Sequence, residues 1–555
     1  MISLVIEELL KSLPFTEQEL RKFLVKSRKP EWGDYSLTIA FELGGDDVNG
    51  FAEKLARKIV TGGVIKKVEV LGPYVNLFLN KELIAESIVK SRSLIKKEVG
   101  EVLIEHTSVN PTGPVHVGRV RNTFIGDCLV RMFKFLGFKV RTHYYVNDAG
   151  RQVAIIALGL KNKVRISDDL AKRYEAYANR EDFKVFFTYV SAFKEFEKDK
   201  GFQEEVSKLI RDYENGDEKA LRLLRETSEL CLKGQLKTFK RFHVVFDCFD
   251  FESDFVSNGE AFRIIEELKK NPLAKQVSGA WLIDLSSYGV KKRGGGTVFQ
   301  RSDGTSVYIV RDLAYHKHKF GLCKNSIIVL GEDHKLEFKE MLALLDILGL
   351  LKGVKHEAVH YSFISLKGEK MSTRKGQTLP IDAVFDKGVE LLIKSRKVSK
   401  RVAEIVCEAA LKFNLLRVDR NKMISFDWGE ALRFEGETGP YCQYACVRAS
   451  KILEKAGGIG DFNPKGLSSE ELDLLLLAGG FEDFFHESLR KREPSILAHY
   501  AHTLAFSFNK FYEKFRVLNE KDVVKRSARL HLVRVVLEAL STALNLLGIT
   551  VPESM

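Results

Sequence analysis

The sequence has few cysteines, prolines and tryptophans for its 555 residues, and it lacks any long uninterrupted apolar run. Its seven cysteines include no Cys-x-x-Cys pair, and the closest two are Cys442 and Cys446. This spacing argues against a disulfide framework and against a zinc ribbon. We therefore expect a reducing compartment and no zinc or other metal site.

Secretion and membrane insertion are also unsupported by the sequence. No segment approaches the ~18 apolar residues that a transmembrane helix needs. The N-terminal apolar stretch contains Glu7 and Glu8, whereas a signal peptide has basic residues followed by an uninterrupted apolar run. We expect a cytoplasmic protein.

Charge and composition indicate a multidomain globular protein with an acidic partner. Hydrophobic residues make up 45% of the chain, and the length predicts two to four domains. The net charge of +13 favours a polyanion such as nucleic acid, because lysine and arginine neutralise phosphates. Charge alone fits a basic, solvated surface equally well.

A strand–turn–helix–strand pattern follows residue 100. Residues 101–104 are an apolar strand, and a Gly/Pro-rich turn follows at residues 110–118. A helical period then runs up to Gly137, and a second strand is predicted at residues 139–146. This is a βαβ unit of the doubly wound type.

Further strand and helix patterns complete the predicted organisation. Strand patterns return at residues 307–310, 326–330 and 360–366, with a helical pattern at residues 340–348. A hairpin is predicted around Gly72. The segment between the two halves of the sheet is charge-rich and mostly helical, and helical periods dominate the C-terminal third.

Two segments contain residues suited to phosphate chemistry. His116 and Gly118 lie at a predicted helix start, where free N–H groups and the positive end of the helix dipole favour phosphate. The loop at residues 367–376 reads KGEKMSTRKG, and its basic and hydroxyl side chains could close over a triphosphate. Taken alone, each segment is better explained as a surface feature, the first as a turn with a surface histidine and the second as a basic surface loop.

Together, the two segments resemble the HIGH and KMSKS motifs of class I aminoacyl-tRNA synthetases. Four segments resemble the arginyl-tRNA synthetase family: TSVNPTGPVHVGRVRNTFIGD, YYVNDAGRQV, RSDGTSVYIVRDLAYHKHKF and FEGETGPYCQYACVRASKIL. The N-terminal GPYVNLFLN and the ending LLGITVPESM are also similar. The resemblance covers nearly the whole chain and is weakest at about residues 160–275.

This resemblance implies a fold and a domain plan. We expect an α/β Rossmann-type doubly wound parallel catalytic domain at residues 100–387, with a mainly helical insertion at about 160–275. An α/β N-terminal domain is expected at residues 1–90, on the D-loop side of tRNA. An all-α C-terminal bundle that binds the anticodon is expected at residues 388–555.

The family binds arginine through polar side chains that match Glu105, Ser108, Asn110, Tyr308 and Asp312. A guanidinium is a planar fork of donors that a carboxylate can match bidentately. The resemblance therefore implies that Asp312 binds the guanidinium and that Tyr308, four residues earlier, packs and hydrogen-bonds beside it. The alternative is that Asp312 only caps a helix.

The family's ATP and tRNA positions also have counterparts here. The resemblance assigns catalysis to His116, Gly118, Arg119 and Lys370. It assigns further ATP contacts to Glu332, Asp333, His334, Met371, Ser372 and Lys375. It assigns tRNA contacts to Tyr74, Asn76, Tyr441, Gln443, Tyr444 and Met555, although Tyr441 and Tyr444 could instead be core residues of a helical bundle.

In both motifs the chain has a different residue at the position of the second His or Lys. Arg119 stands in place of the second His of HIGH, where it could serve the same electrostatic role or distort the adenine pocket. Thr373 stands in place of the second Lys of KMSKS. The sequence leaves open whether Lys370, Arg374 or Lys375 acts on the leaving pyrophosphate.

The resemblance implies a monomeric arginine–tRNA ligase that uses ATP with Mg²⁺. It would form arginyl adenylate, transfer arginine to the 2′-OH of the terminal adenosine of its tRNA, and release AMP and pyrophosphate. One alternative is a non-catalytic tRNA-binding paralogue, supported only by Arg119. Another is a class I synthetase for a different amino acid, although the lack of zinc ligands argues against cysteine, and the charge of Asp312 argues against glutamate.

Overall fold

A computed structural model describes the chain except for residues 1, 28, 91–96, 293–294, 367–378, 432 and 434. It divides into two compact units. The terminal unit combines Met1–Lys96 with Arg433–Met555, and the central unit is Lys97–Leu432. Residues 388–432, grouped with the C-terminal bundle by sequence, belong to the central unit.

The N-terminal part of the terminal unit is a small α/β structure. Its strands form an antiparallel sheet in the spatial order β1 (Leu24–Lys26), β2 (Tyr35–Leu37), β4 (Tyr74–Leu79) and β3 (Ile65–Leu71). The predicted hairpin around Gly72, whose φ is +57°, joins β3 to β4. The elements are α1 (Ile2–Leu10), α2 (Glu17–Phe23), β1 (Leu24–Lys26), β2 (Tyr35–Leu37), α3 (Ala40–Leu43), α4 (Val48–Lys58), β3 (Ile65–Leu71), β4 (Tyr74–Leu79) and α5 (Lys81–Lys90).

The central unit is built on a five-stranded parallel sheet, in the spatial order β12 (Lys355–Tyr361), β11 (Asn325–Gly331), β5 (Glu101–Glu105), β6 (Lys139–Val146) and β7 (Cys248–Phe251). Its first elements are β5 (Glu101–Glu105), α6 (Val117–Leu136) and β6 (Lys139–Val146). They confirm the predicted βαβ unit. Gly137 ends α6 with a left-handed φ of +111°, a conformation that glycine adopts without strain.

Helices follow β6, as the sequence predicts. They are α7 (Arg151–Lys161), α8 (Asp168–Arg173), α9 (Glu181–Phe196), α10 (Lys200–Glu214) and α11 (Glu218–Arg241). The edge strand β7 (Cys248–Phe251) precedes α12 (Glu252–Ser257) and α13 (Glu260–Lys269). A small antiparallel sheet that the sequence did not suggest follows, formed by β8 (Ala274–Val277), β9 (Ala280–Ile283) and β10 (Thr297–Gln300).

In the second half of the parallel sheet, the structure differs from two of the strand predictions. Residues 307–310 were predicted as a strand but instead begin α14 (Tyr308–Leu322). The predicted strand at residues 360–366 is divided between β12 (Lys355–Tyr361) and β13 (Ile364–Leu366). Two elements between α14 and β12 in the chain agree with the sequence patterns, namely β11 (Asn325–Gly331) and α15 (Lys335–Ile347).

The central unit ends with helices and one short strand. These are α16 (Ile381–Arg396), α17 (Lys400–Leu416), β14 (Ile424–Phe426) and α18 (Trp428–Ala431). Strand β14 pairs in parallel with β13.

The C-terminal part of the terminal unit is the predicted all-α bundle. It consists of α19 (Gly439–Ala456), α20 (Ser469–Gly479), α21 (Phe481–Lys491), α22 (Pro494–Lys514) and α23 (Val523–Leu546). Leu540 and Leu544 are fully buried on one face of α23. Within the described ranges, we find no helix with the length and apolarity needed to cross a membrane.

Candidate active site

Hydrogen bonds connect the turn between β5 and α6 to α6 itself and, through α6, to β11. The Thr107 amide donates to Asn122 Oδ1 at 2.7 Å, and Asn122 Nδ2 donates to the Val329 carbonyl at 2.9 Å. Thr107 and Ser108 have φ angles of +77° and +41°, which are unfavourable for residues with a side chain. Tertiary hydrogen bonds therefore hold the turn in a strained conformation, as is common at binding sites.

His116 and Arg119 occupy the start of α6. His116 is the N-cap residue, but its side chain makes no capping hydrogen bond. Burial, assisted by Arg119, lowers the pKa of His116 to about 4, so the imidazole is neutral at pH 7. Its Nδ1 is buried without a hydrogen-bond partner among the described residues. A neutral donor and a permanent cation thus lie one turn apart.

A cavity of about 720 Å³ lies at the carboxyl ends of the parallel strands. It brings together eight of the residues predicted from sequence: Glu105, Ser108, Asn110, His116, Arg119, Tyr308, Asp312 and His334. Gly118 is buried in the first turn of α6. Lys292 and Glu340, which the sequence analysis missed, also line the cavity and form an ion pair of 2.8 Å.

Other predicted ATP residues lie elsewhere. Glu332 accepts a hydrogen bond from Ser362 Oγ at 2.7 Å, and Asp333 is exposed; neither lines the cavity. His334, in contrast, lines the cavity, and its pKa is raised mainly by its hydrogen bond to Glu337. Lys370, Met371, Ser372 and Lys375 lie outside the described residues, as does Arg374.

Two buried ion pairs flank Asp312 on α14. Arg311 pairs with Glu252, and Lys319 pairs with Glu105. The Asp312 carboxylate has no ion-pair partner within the described part of the chain. Burial, then the negative charge of Glu252, raises the pKa of Asp312 to about 7, although Arg311 acts in the opposite direction.

The sequence did not reveal these pairs, because charged residues are usually exposed. Helical spacing was the available signal, since residues 312, 315, 316 and 319 share one face of α14. Together, the five groups comprise three carboxylates and two cations. This cluster around Asp312 therefore has one carboxylate in excess, which a cationic ligand beside Asp312 would neutralise.

The predicted tRNA residues lie in the terminal unit. Tyr74 is exposed and contacts Phe41 edge-on, whereas Asn76 is buried and accepts a hydrogen bond from Ser36 Oγ at 2.6 Å. Both lie on β4. Asn76 therefore has a structural role in the sheet.

In the bundle, the predicted residues fall around the start of α19 and the C-terminus. Tyr441 lies next to His502, and Tyr444 accepts a hydrogen bond from Arg448 at 3.1 Å. Gln443 is buried and donates to the Thr550 carbonyl at 2.5 Å, which ties α19 to the C-terminal tail. Met555, the last residue of that tail, is partly exposed.

Family models match all three regions of the chain. The model for the catalytic domain of class I (R) tRNA synthetases matches residues 82–428. The DALR anticodon binding domain matches residues 442–555, and the arginyl tRNA synthetase N-terminal domain matches residues 1–79.

Relatives and solved structures agree with these matches. The arginine–tRNA ligase of Methanosarcina barkeri is 35% identical over 91% of this chain and 90% of its own length. That of Methanothermobacter thermautotrophicus is 36% identical over 95% and 94%. The Thermus thermophilus arginyl-tRNA synthetase structure superposes with a TM-score of 0.85 at 25% identity, covering all of both chains. The chain therefore belongs to the arginyl-tRNA synthetase family.

Proposed function

We propose that the protein is an arginine–tRNA ligase. It activates arginine with ATP, supplied as its Mg²⁺ complex, and transfers it to the 2′-OH of the terminal adenosine of its tRNA. The products are arginyl-tRNA, AMP and pyrophosphate. The observation that carries this proposal is the Asp312 carboxylate, which faces the cavity without an ion-pair partner among the described residues.

Arginine fits the charge and the hydrogen-bonding capacity of this wall. The planar guanidinium pairs bidentately with Asp312, and Tyr308 lies one helical turn earlier at the mouth of the cavity. Ser108 and Asn110, on the strained turn, hold the polar groups at the other end of the amino acid. Glu105 lies beside them and also contacts these polar groups, while its carboxylate stays paired with Lys319. Lysine carries the same charge but cannot make the bidentate contact.

ATP lies against the start of α6 in this proposal. The helix N-terminus, Gly118 and the neutral His116 bind phosphate oxygens, and Arg119 supplies positive charge. His334 forms part of the adenosine side, with Glu332 and Asp333 near the end of β11. Lys370, Met371, Ser372 and Lys375 complete the phosphate contacts.

The chemistry needs no covalent enzyme intermediate. The arginine carboxylate attacks the α-phosphorus in line, and pyrophosphate leaves. The terminal adenosine of tRNA then attacks the adenylate, and AMP leaves. The residues named act by positioning and by stabilising charge, as in other phosphoryl-transfer enzymes.

We assign tRNA binding to the two parts of the terminal unit. Residues 1–90 contact the D-loop side through Tyr74, with Asn76 supporting the strand. Residues 433–555 receive the anticodon loop through Tyr441, Tyr444 and Met555, with Gln443 holding the C-terminal tail. Tyr74 is exposed and Tyr441 and Tyr444 are half-buried, and accessible aromatic rings suit unstacked bases. We propose that the enzyme acts as a monomer in the cytoplasm.

Charging of total tRNA tests this function directly. Purified protein is supplied with ATP, tRNA and each labelled amino acid in turn, and arginine alone should be incorporated. ATP–pyrophosphate exchange with arginine should require added tRNA. Salt-sensitive tRNA binding without any charging would instead support the non-catalytic paralogue, and charging with another amino acid would refute the arginine assignment.

A further inference from the structure

A group of metal-ligating side chains lies at the edge of the parallel sheet, outside the roles assigned above. His143 is on β6, and Cys248 and Asp250 are on the edge strand β7. His143 pairs directly with Cys248 in the parallel ladder, and Asp250 is two residues further on. Because side chains alternate along a strand, all three lie on the same face of the sheet.

The ligand atoms are close enough for one ion to bind them together. One atom from each of the three residues lies within 4.8 Å of the other two. His143 Nδ1 is 2.6 Å from Asp250 Oδ2, and the Cys248 thiol donates to Asp250 Oδ1 at 3.4 Å. In a tetrahedral zinc site, bond lengths of about 2.0–2.3 Å put neighbouring ligand atoms roughly 3.3–3.8 Å apart. Side-chain shifts of about 1 Å would therefore suffice.

Helix α14 supplies two more groups to this cluster. His318 Nε2 lies 4.0 Å from Asp250 Oδ1 but outside the group of three whose ligand atoms are mutually within 4.8 Å, so this exposed side chain would have to rotate to become a fourth ligand. The Tyr315 hydroxyl donates to Asp250 Oδ2 at 3.1 Å, the kind of contact that orients a metal-binding carboxylate. His318 is exposed and Cys248 is half-buried, so an ion can enter from solvent at the sheet edge.

We propose that His143, Cys248, Asp250 and His318 bind one divalent ion of the zinc class. Two imidazoles, a thiolate and a carboxylate suit zinc or cobalt, whereas Mg²⁺ and Ca²⁺ prefer oxygen ligands alone. Coordination displaces the Cys248 thiol proton to solvent. The expectation of no zinc site rested on cysteine spacing along the chain, which cannot detect ligands brought together by β6, β7 and α14.

Cobalt binding tests the proposal without depending on tRNA charging. The full-length protein is treated with chelator, desalted and titrated with Co²⁺, and absorbance is recorded. We expect one ion per chain, visible bands of tetrahedral Co²⁺ and a near-ultraviolet band from the cobalt–thiolate bond. Zn²⁺ should remove these bands, and excess Mg²⁺ should not.

Three variants locate the site. Cys248→Ser should abolish the thiolate band, and His318→Gln should weaken Co²⁺ binding by roughly tenfold or more. Cys323→Ser is the matched control, since Cys323 is a buried cysteine at the end of α14 outside the cluster, and it should bind as the wild type does. His318 is an exposed side chain, so its replacement leaves folding intact. Wild-type protein without a thiolate band would overturn the proposal, as would unchanged binding by folded Cys248→Ser or His318→Gln.

Discussion

Lys319 and Glu105 form a buried ion pair that joins α14 to the carboxyl end of β5. The ammonium group also lies 4.2 Å from the centre of the Tyr315 ring. This pair connects the helix that carries Asp312 with the strand that leads into the proposed phosphate-binding turn. Because both charges are removed from water, each depends on the other for compensation.

Glu105→Gln should therefore destabilise the central unit strongly. It leaves a buried ammonium group unpaired, and breaking a buried pair costs about 3–5 kcal/mol. Adding Lys319→Met should restore much of the loss, as measured by thermal unfolding. Glu101→Gln is the control, because Glu101 on the same strand pairs with Lys139 at the surface, and its replacement should change the unfolding temperature little. Equal unfolding temperatures for the two single Gln variants would contradict the pair's structural role.

Arginine affinity should depend on pH through Asp312. The pKa of this carboxyl is raised to about 7, mainly by burial, and only its ionised form can pair with a guanidinium. As pH falls from 8 to 6, the ionised fraction falls, and arginine binding should weaken by about tenfold. Calorimetry without ATP measures this. Asp312→Asn should show a weak affinity that does not vary over the same range, and a wild-type affinity independent of pH would contradict the assignment.

Arg121 holds α6 against the segments that follow β12 and α17. Its side chain is fully buried and donates to the backbone carbonyls of Ser362, Val418, Asp419 and Lys422 at 2.7–2.9 Å. Arg121→Met should lower the free energy of unfolding by on the order of 3 kcal/mol, since it removes four hydrogen bonds at once and leaves the buried Ser362 carbonyl without this donor. Thermal or urea unfolding measures this loss.

Arg131→Met provides the comparison for Arg121. Arg131 lies on the same helix, is less buried and pairs with Asp127 one turn away. Its replacement should have a much smaller effect on unfolding. If both methionine variants unfolded at the same temperature, the proposed role of Arg121 would be wrong.

Arg119 should provide charge at the position of the second motif histidine. Arg119→Ala should lower kcat for arginylation by about 100-fold, the usual cost of removing one group that stabilises transition-state charge. Arg119→His should retain most of the activity, and arginine binding should be unaffected by either change. Steady-state charging kinetics decide the matter. Wild-type kcat in Arg119→Ala would show that the arginine is a bystander.

Local signals in the sequence account for the parts of the fold that were predicted correctly. The Gly/Pro-rich turn, the apolar period of α6 and Gly137 each act over a few residues, so β5, α6 and β6 could be placed. Residues 307–310 were misread because their β-branched residues resemble a strand. The helical period that continues to Leu322 decides their conformation instead.

The pairings inside the site could not be predicted in the same way. Glu252, Arg311 and Lys319 are charged, and such residues are mostly exposed. Their burial depends on partners distant in sequence, as Lys319 and Glu105 show. The small sheet of β8, β9 and β10 was missed because its strands are only four residues long. The family resemblance of residues 301–320 suggested Asp312 as a site residue. Only the fold shows that its carboxylate has no ion-pair partner among the described residues.

The most direct test of the central claim compares arginine with citrulline, its uncharged counterpart of similar shape. Equilibrium binding of both is measured for the wild type and for Asp312→Asn. Our account predicts a preference of at least about 100-fold for arginine in the wild type, because a buried charge-assisted pair is lost with citrulline. It predicts that Asp312→Asn loses most of this preference while ATP binding survives. An Asn variant that still prefers arginine as strongly as the wild type would contradict the account.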